Sequence, residues 1–238
     1  MPPDTSNSEI WAHYQTRQLE VFAASRARLD FLVGLAEKLA RGRTLLNIGS
    51  GDGYLERTAQ QRNWTVISID PDPGTAERLK ALGLDARCGS IESLPVASQS
   101  LDIVICTEVF EHLTEESLES GLHQIRRVLK PGGRLIGTVP YRENLTENEV
   151  FCPDCKKRFH RWGHLQSFDE GKMHAAIGKS LHINRIKPVY LPAWDATDWK
   201  GKLSLFARLA FASCGIHSSE SYLLFVAAKS SCNDAGTD

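Results

Sequence analysis

The sequence predicts an α/β fold, a doubly wound and mainly parallel sheet with helices on both faces. Between residues 43 and 139, short apolar runs alternate with segments of helical periodicity, the pattern of parallel strands joined by crossover helices. A glycine-rich turn follows the first run and an acidic residue ends the second, as at a ligand-binding sheet edge. The predicted strands are 43–48, 64–69, 84–88, 101–106, 134–139, 183–190 and 221–228.

The glycine-rich turn indicates a site for a nucleotide-like ligand. Gly49, Gly51 and Gly53 directly follow the first apolar run, and glycine lets a ligand approach the main chain at the start of a helix. Asp70 ends the second strand about 20 residues later, where a carboxylate can accept both hydroxyls of a ribose. The competing interpretation of Asp70 is a turn or helix-cap residue before Pro71.

The spacing of these glycines disfavours NAD. A bound diphosphate needs the turn Gly-x-Gly-x-x-Gly, whereas the third glycine here comes one residue early. Asp52 also places a negative charge inside the turn, where it would repel a phosphate.

Two helices can be predicted with defined starts. Thr114 is the predicted N-cap of the first, and Glu115 and Glu116 suit the positive end of its dipole. Its apolar stripe is Leu118, Leu122, Ile125 and Leu129, and Lys130-Pro131-Gly132-Gly133 is predicted to end it. The second helix is predicted from a capping box, Ser167-Phe168-Asp169-Glu170, to about Lys179.

Composition narrows the class of protein. The chain has 238 residues, of which 42% are hydrophobic and 24% charged, as in an ordinary globular protein. A net charge of −1 disfavours nucleic acid as a substrate. Neither an export signal nor an apolar run of about 20 residues is visible, which predicts a cytoplasmic protein without a membrane span. In that compartment Cys88, Cys106, Cys214 and Cys232 are expected to stay reduced.

Four segments occur in the order of a known set of motifs: Leu46–Gly53, Gly89–Pro95, Leu101–Leu113 and Leu129–Gly133. With Asp70 they resemble the class I S-adenosylmethionine-dependent methyltransferase family of the small-molecule type, over roughly residues 40–140. The resemblance implies a Rossmann-like sheet of seven strands with the last one antiparallel, and S-adenosyl-L-methionine as cofactor.

The same resemblance implies a set of cofactor-binding residues. Ser90 stands where the family would place an acid, so we expect Ser90 and Ile91 to contact the adenine without a carboxylate. The full set is Asn47, Gly49, Ser50, Gly51, Gly53, Tyr54, Asp70, Pro71, Ser90, Ile91, Thr107 and Glu108.

The loop between strands five and six is spaced like a metal site. Cys152, Cys155, His160 and His164 supply two thiolates and two imidazoles within one short segment, the ligand types of tetrahedral zinc. The spacing resembles a zinc knuckle, although the knuckles it resembles end in a cysteine. The alternatives are an exposed cysteine pair without metal, a redox pair, and a folded loop without metal.

The predicted organisation has four parts. They are an N-terminal helical cap (1–40), the core (41–140 and 181–229), an insertion with the Cys/His loop (141–180) and a disordered tail (230–238). Because the insertion leaves from the carboxyl edge of strand five, we expect it to neighbour the substrate. Residues 191–215, which contain Trp194 and Trp199, are expected to form a helical lid, an apolar pocket wall or a membrane-surface contact.

His112 and Tyr14 are the candidate catalytic residues. His112 follows strand four at the ligand edge, where it can take a proton from an acceptor hydroxyl. Tyr14 lies with Trp11 and Arg17 in a segment that covers the cofactor in the families this chain resembles. The competing interpretations are a capping or core histidine and aromatic residues that only pack the N-terminal helix.

The predicted activity is methyl transfer to a hydroxyl or amine of a small molecule, sugar, glycan end or natural product. The sulfonium methyl is already activated, so alignment of the acceptor and exclusion of water are the main requirements. The alternative is a zinc-bearing module without catalysis that binds RNA or protein through Arg158, Arg161 and Trp162, with Lys156 and Lys157 adding charge. The oligomeric state stays open.

Overall fold

The computed structural model describes residues 10, 13–15, 19–191 and 221–230. Several predictions concern residues outside this part of the chain and are not addressed by it. They are those for Trp11 and Arg17, for residues 192–215 with Trp194 and Trp199, and for the tail from residue 231 onward.

Seven strands form one sheet. They are β1 (Thr44–Ile48), β2 (Thr65–Asp70), β3 (Asp85–Cys88), β4 (Leu101–Thr107), β5 (Leu129–Pro140), β8 (His182–Val189) and β9 (Tyr222–Ala228). Their order across the sheet is β3-β2-β1-β4-β5-β9-β8. Strands β1 to β5 pair in parallel, and β9 lies antiparallel between β5 and β8. The predicted mainly parallel, seven-stranded sheet is confirmed.

Helices cover both faces of this sheet. They are α1 (Arg26–Leu39), α2 (Tyr54–Gln61), α3 (Pro73–Ala81), α4 (Glu115–Val128) and α5 (Glu170–Gly178). Short 3₁₀ helices span Leu19–Ser25, Phe110–His112 and Leu145–Asn148. Consecutive side chains of β4 point to opposite faces of the sheet. Val104 belongs to the core on the face covered by α4 and α5, and Ile103 to the core on the face covered by α1 and α2. Burial on both faces explains why the central strands are continuous apolar runs.

The helix α4 begins as the sequence predicts. The hydroxyl of Thr114 accepts the Ser117 N–H at 3.1 Å, and Leu118, Leu122 and Ile125 are buried. The helix ends at Val128, and residues 129–133 open strand β5.

The start of α5 differs from the prediction. Asp169 is the N-cap, and its carboxylate accepts the Lys172 N–H at 2.8 Å, so the helix does not begin after Ser167. Phe168 is 1% exposed and forms a parallel β-bridge with Tyr141. This buried extended residue keeps the chain out of the helical conformation for two residues more than the capping-box pattern suggested.

The insertion carries a two-stranded hairpin of its own, β6 (Glu149–Phe151) and β7 (Arg158–His160). Cys152 and Cys155 lie in its turn, and His160 pairs with Glu149 at the opposite end. Among the described residues, no helix combines the length and the apolar character that crossing a bilayer requires.

Candidate active site

The glycine turn joins β1 to α2 at the carboxyl edge of the sheet. Gly49, Gly51 and Gly53 have φ angles of +84°, +52° and +79°, a region that side chains other than glycine rarely adopt. A Cβ atom on Gly51 would lie 3.0 Å from the Phe22 ring, and one on Gly53 would lie 2.6 Å from the Leu79 side chain. The turn therefore requires glycine for both conformation and space.

Asp70 ends β2 beside this turn and is 1% exposed. Its Oδ2 accepts the Ser50 N–H at 2.9 Å and the Gln15 side-chain amide at 3.1 Å, and its Oδ1 accepts the Asp72 N–H at 3.0 Å. Burial raises the pKa of Asp70, and these hydrogen bonds only partly offset that effect. The carboxylate therefore lies where a ribose would need it, with Gln15 as one of its present partners.

A buried polar network supports the turn from below. Asn47 donates from Nδ2 to Oε1 of Glu56 at 2.8 Å, and the Ser68 hydroxyl donates to the same oxygen. The hydroxyls of Ser68 and Ser50 lie 2.6 Å apart, and burial raises the pKa of Glu56. Asn47 and Ser50 were predicted from the sequence, but Glu56 was not, because its only signal was an acidic residue in the first turn of α2.

The start of α2 is already capped by an acidic side chain. The Tyr54 N–H donates to Oδ1 of Asp52 at 2.9 Å, and the Tyr54 hydroxyl lies 3.1 Å from a carboxylate oxygen of Asp30. Arg78 donates to the Gly51 carbonyl at 2.6 Å and ties the turn to α3. A diphosphate would need this helix start for itself, and the expectation that NAD fits poorly stays a prediction.

Thr107 and Glu108 lie at the carboxyl end of β4 and are tied to β5. The Thr107 and Thr138 hydroxyls are 2.6 Å apart, and Thr138 donates to Oε1 of Glu108 at 3.0 Å. Glu108 has a φ of +55° and its other oxygen lies 3.6 Å from the Arg28 guanidinium. These contacts fix the carboxylate of Glu108 at the same sheet edge as the glycine turn.

The residues expected at the adenine differ in exposure. Pro71 and Ser90 are exposed, whereas Ile91 is buried and would contact a Cβ on Gly121 of α4 at 2.8 Å. The side chain of Ile91 therefore packs into the core, and contact of Ser90 and Ile91 with adenine stays a prediction.

Three histidines and two glutamates meet where the insertion contacts the end of β4. The rings of His112 and His164 are 4.7 Å apart, and those of His160 and His164 are 4.5 Å apart and stacked. Glu143 bonds to His164 and lies 3.5 Å from Nε2 of His160. The histidines were predicted from the sequence, whereas Glu143 and Glu111 were not. For Glu111, the available signal was its position beside His112.

The four predicted zinc ligands are not assembled in one group. In the described part of the chain, two groups of three side chains could share a metal ion: Glu111 with His112 and His164, and Glu143 with His160 and His164. Neither includes a cysteine, because Cys152 and Cys155 occupy the turn of the hairpin and His160 its other end. Zinc binding by the cysteines stays a prediction.

The two candidate catalytic residues have different surroundings. His112 is partly buried, and burial together with the charge of His164 lowers its pKa to about 3. That value makes His112 a weak proton acceptor at neutral pH. Tyr14 stacks obliquely on Trp162 with ring centres 5.1 Å apart, so the N-terminal segment and the insertion meet at the same edge.

Comparison with known proteins addresses the core of the chain. Residues 46–137 match the family model of a methyltransferase domain. That stretch, less than half of the chain, is similar to methyltransferase domains. The chain is 33% identical over 110 residues to a probable S-adenosylmethionine-dependent methyltransferase of Mycolicibacterium smegmatis, covering 45% of this chain and 42% of that one. An uncharacterized methyltransferase of Schizosaccharomyces pombe is 32% identical over 130 residues, 53% of this chain and 50% of that one.

Solved structures show the same fold at low sequence identity. A chain in a complex that contains the Haloferax volcanii Trm112 methyltransferase activator superposes with a TM-score of 0.67 at 18% identity, covering 93% of this chain and 98% of that one. The Burkholderia thailandensis 1,6-didemethyltoxoflavin-N1-methyltransferase, with S-adenosylhomocysteine bound, gives 0.63 at 15% identity, covering 94% and 87%.

Together these findings support a class I S-adenosylmethionine-dependent methyltransferase. The chain spans about half the length of the curated relatives it matches first. The family match supports the resemblance stated from the motifs over residues 46–137, whereas the acceptor and the role of the insertion belong to the proposal that follows.

Proposed function

We propose that this chain transfers a methyl group from S-adenosylmethionine to a hydroxyl, or an amine, of a small molecule, sugar or glycan end. One observation carries the proposal: the glycine turn after β1 and Asp70 after β2 are adjacent, and the Ser50 N–H of the turn donates to Asp70. When bound, the cofactor supplies a methyl group that its sulfonium has already activated.

The residues present fit that cofactor. Gly51 and Gly53 keep the main chain of the turn open where any Cβ would meet a neighbour. Asp70 offers a buried carboxylate that can accept ribose hydroxyls, and a charge-assisted bond of this kind contributes roughly 1.5–3 kcal/mol. The network around Glu56 holds the turn in place, and Ser90 and the main chain of Ile91 are assigned to the adenine.

The acceptor is assigned to the edge between β4, the insertion and the N-terminal segment. Tyr14 and Trp162 form an aromatic wall there, and aromatic faces suit sugar rings and flat small molecules. His112 is not retained as the general base, because its pKa is about 3. The chain would act mainly by aligning the acceptor oxygen with the methyl group and by excluding water.

Cofactor binding is the first experiment. Calorimetry with S-adenosylhomocysteine should give a dissociation constant in the micromolar range, about −8 kcal/mol, and no heat with NAD. Release of S-adenosylhomocysteine should then be measured with panels of sugars, glycan fragments and phenols. Tight binding of NAD would sink the proposal, and a chain without affinity for either cofactor would fit the non-catalytic interaction module instead.

A further inference from the structure

Glu111 is a buried carboxyl group without a hydrogen-bond donor. It lies in the 3₁₀ helix after β4, is 1% exposed, and neither Oε1 nor Oε2 has a hydrogen-bond partner among the described residues. Its main-chain carbonyl accepts the N–H groups of Leu165 and Gln166, which holds the insertion against it. A buried carboxylate without a donor is costly, and the charge of Arg28 nearby offsets that cost only in part. A proton or a further cation would compensate the rest.

The two histidines beside Glu111 are oriented by groups that accept hydrogen bonds. Nδ1 of His112 lies 3.2 Å from the Gly163 carbonyl, and a carbonyl can only accept. Nδ1 of His164 is bonded to a carboxylate oxygen of Glu143. Both Nδ1 atoms therefore carry the proton, and the lone pair of each neutral ring is on Nε2.

The hydrogen-bond donors around Glu143 support this assignment. Asn148 donates to Oε1 of Glu143 at 3.1 Å, and Nε2 of His160 lies 3.5 Å from the same oxygen. The other oxygen, Oε2, is bonded to Nδ1 of His164 and accepts its proton. An imidazole whose Nδ1–H is held by a carboxylate or a carbonyl is the usual form of a metal-binding histidine.

His160 has the opposite orientation and is unsuited to bind through Nε2. Its Nδ1 accepts the main-chain N–H of His164 at 3.1 Å, so its proton is on Nε2, which lies 3.5 Å from Oε1 of Glu143. The group Glu143–His160–His164 is therefore a hydrogen-bonded support. In the other group, one potential ligand atom each from Glu111, His112 and His164 lies within 4.8 Å of the other two.

We propose that Glu111, His112 and His164 bind one divalent first-row transition-metal ion through a carboxylate oxygen and two Nε2 atoms, with Glu143 and His160 as orienting partners. Two imidazoles and a carboxylate suit Mn²⁺, Fe²⁺, Co²⁺ or Zn²⁺. Ligands bound at about 2.1 Å from one ion lie roughly 3–4 Å apart, so small side-chain movements are enough. The site shares only His164 with the Cys/His set predicted from the sequence.

The position of the site suggests its use, a consequence that rests on the proposed function. The ion would lie at the carboxyl end of β4, the edge assigned to the acceptor. Three protein ligands leave open coordination positions, as in catalytic rather than structural metal sites. Oxygen atoms of water or of an acceptor can fill those positions.

The test uses the purified full-length chain after chelator treatment, without cofactor. Titration with Mn²⁺, followed by electron paramagnetic resonance, should show about one bound ion per chain. Glu111→Gln and His164→Ala should each weaken binding by at least about 100-fold, and Glu143→Gln by about 10–100-fold. Cys155→Ser is the matched control and should bind Mn²⁺ like the wild type.

A spectrum of the unmutated chain protects the test against variants that do not fold. The Co²⁺ complex should show visible d–d bands and lack the thiolate-to-cobalt charge-transfer band of a cysteine site. Three results would each overturn the proposal. The first is a charge-transfer band in the wild type, and the second is loss of the ion in Cys155→Ser. The third is loss of the ion in His160→Ala while Glu111→Gln retains it. So would the absence of Mn²⁺, Co²⁺ and Zn²⁺ binding in a chain that still binds S-adenosylhomocysteine. Metal binding without cofactor affinity would leave the site standing and remove the methyltransferase function.

Discussion

The Gln15 side chain bridges Asp70 and the helix that follows it, α3. Its Nε2 donates to Oδ2 of Asp70 at 3.1 Å, and its Oε1 accepts the Thr75 hydroxyl at 3.1 Å. Gln15 is 7% exposed, so this bridge is shielded from solvent. The amide therefore occupies an acceptor position of Asp70, and we predict that it competes for this oxygen with a ribose hydroxyl of the proposed cofactor.

Replacement of Gln15 by alanine should strengthen cofactor binding. Removing the amide frees Oδ2 of Asp70, and the gain should be up to about 10-fold in the dissociation constant, or about 1.4 kcal/mol. Calorimetry with S-adenosylhomocysteine measures it, and Gln61→Ala, at an exposed position near the end of α2, is the control. Weaker binding by Gln15→Ala would show that Gln15 holds the ligand rather than the acid.

Asp70→Ala should weaken S-adenosylhomocysteine binding by roughly 1.5–3 kcal/mol, the contribution of charge-assisted bonds to the ribose. Because Asp70 also accepts main-chain N–H groups of Ser50 and Asp72, the thermal midpoint must be measured beside the affinity. In the Asp70→Ala background the effect of Gln15→Ala should vanish, since the two side chains would act through one contact. Additive effects would contradict the competition.

Gly51→Ala should reduce the free energy of cofactor binding by more than it reduces the free energy of unfolding. The new Cβ would lie 3.0 Å from the Phe22 ring and project from the turn that the ligand approaches, at a φ of +52°. Gly83→Ala is a matched control, because Gly83 has a φ of +79° and nothing within 4 Å of a Cβ. Both variants should lose about 1 kcal/mol of stability from backbone strain. Equal cofactor affinities in the two variants would refute the role of the turn.

The sheet and the glycine turn could be predicted because their signals are local. Apolar runs and the spacing of Gly49, Gly51 and Gly53 can be recognised from neighbouring residues alone. Thr114 predicts the start of α4 in the same way, as its N-cap. The start of α5 could not be predicted, because the burial of Phe168 and its bridge to Tyr141 are tertiary contacts. The same holds for the cluster of Glu111, His164 and Glu143, which the fold assembles from segments far apart in the chain.

Asp102 links β4 to β1 and to the start of β5. Its Oδ2 accepts the N–H and the hydroxyl of Thr44 at 3.0 and 2.6 Å, and its Oδ1 lies 2.9 Å from Nζ of Lys130. Burial acts against ionisation, but the bonds with Thr44 and Lys130 outweigh it and lower the pKa of Asp102. The ionised carboxylate is thus more favourable in the folded chain than in the unfolded one.

Asp102→Asn should therefore destabilise the chain in a pH-dependent way. At pH 7 the free energy of unfolding should fall by roughly 1.5–3 kcal/mol, because bonds to a charged acceptor are lost. A depressed folded-state pKa contributes stability that is fully present above the unfolded value of about 3.9 and is lost as the pH falls through the folded value. Urea unfolding at pH 7, 5 and 3.5 should accordingly show a constant difference from the wild type at the two higher values and a smaller one at pH 3.5.

Asp85→Asn is the control, because Asp85 forms an exposed pair with Arg87. It should change the free energy of unfolding by at most about 1 kcal/mol at pH 7. A difference for Asp102→Asn that is the same at all three values would show that the charge of Asp102 does not stabilise the fold.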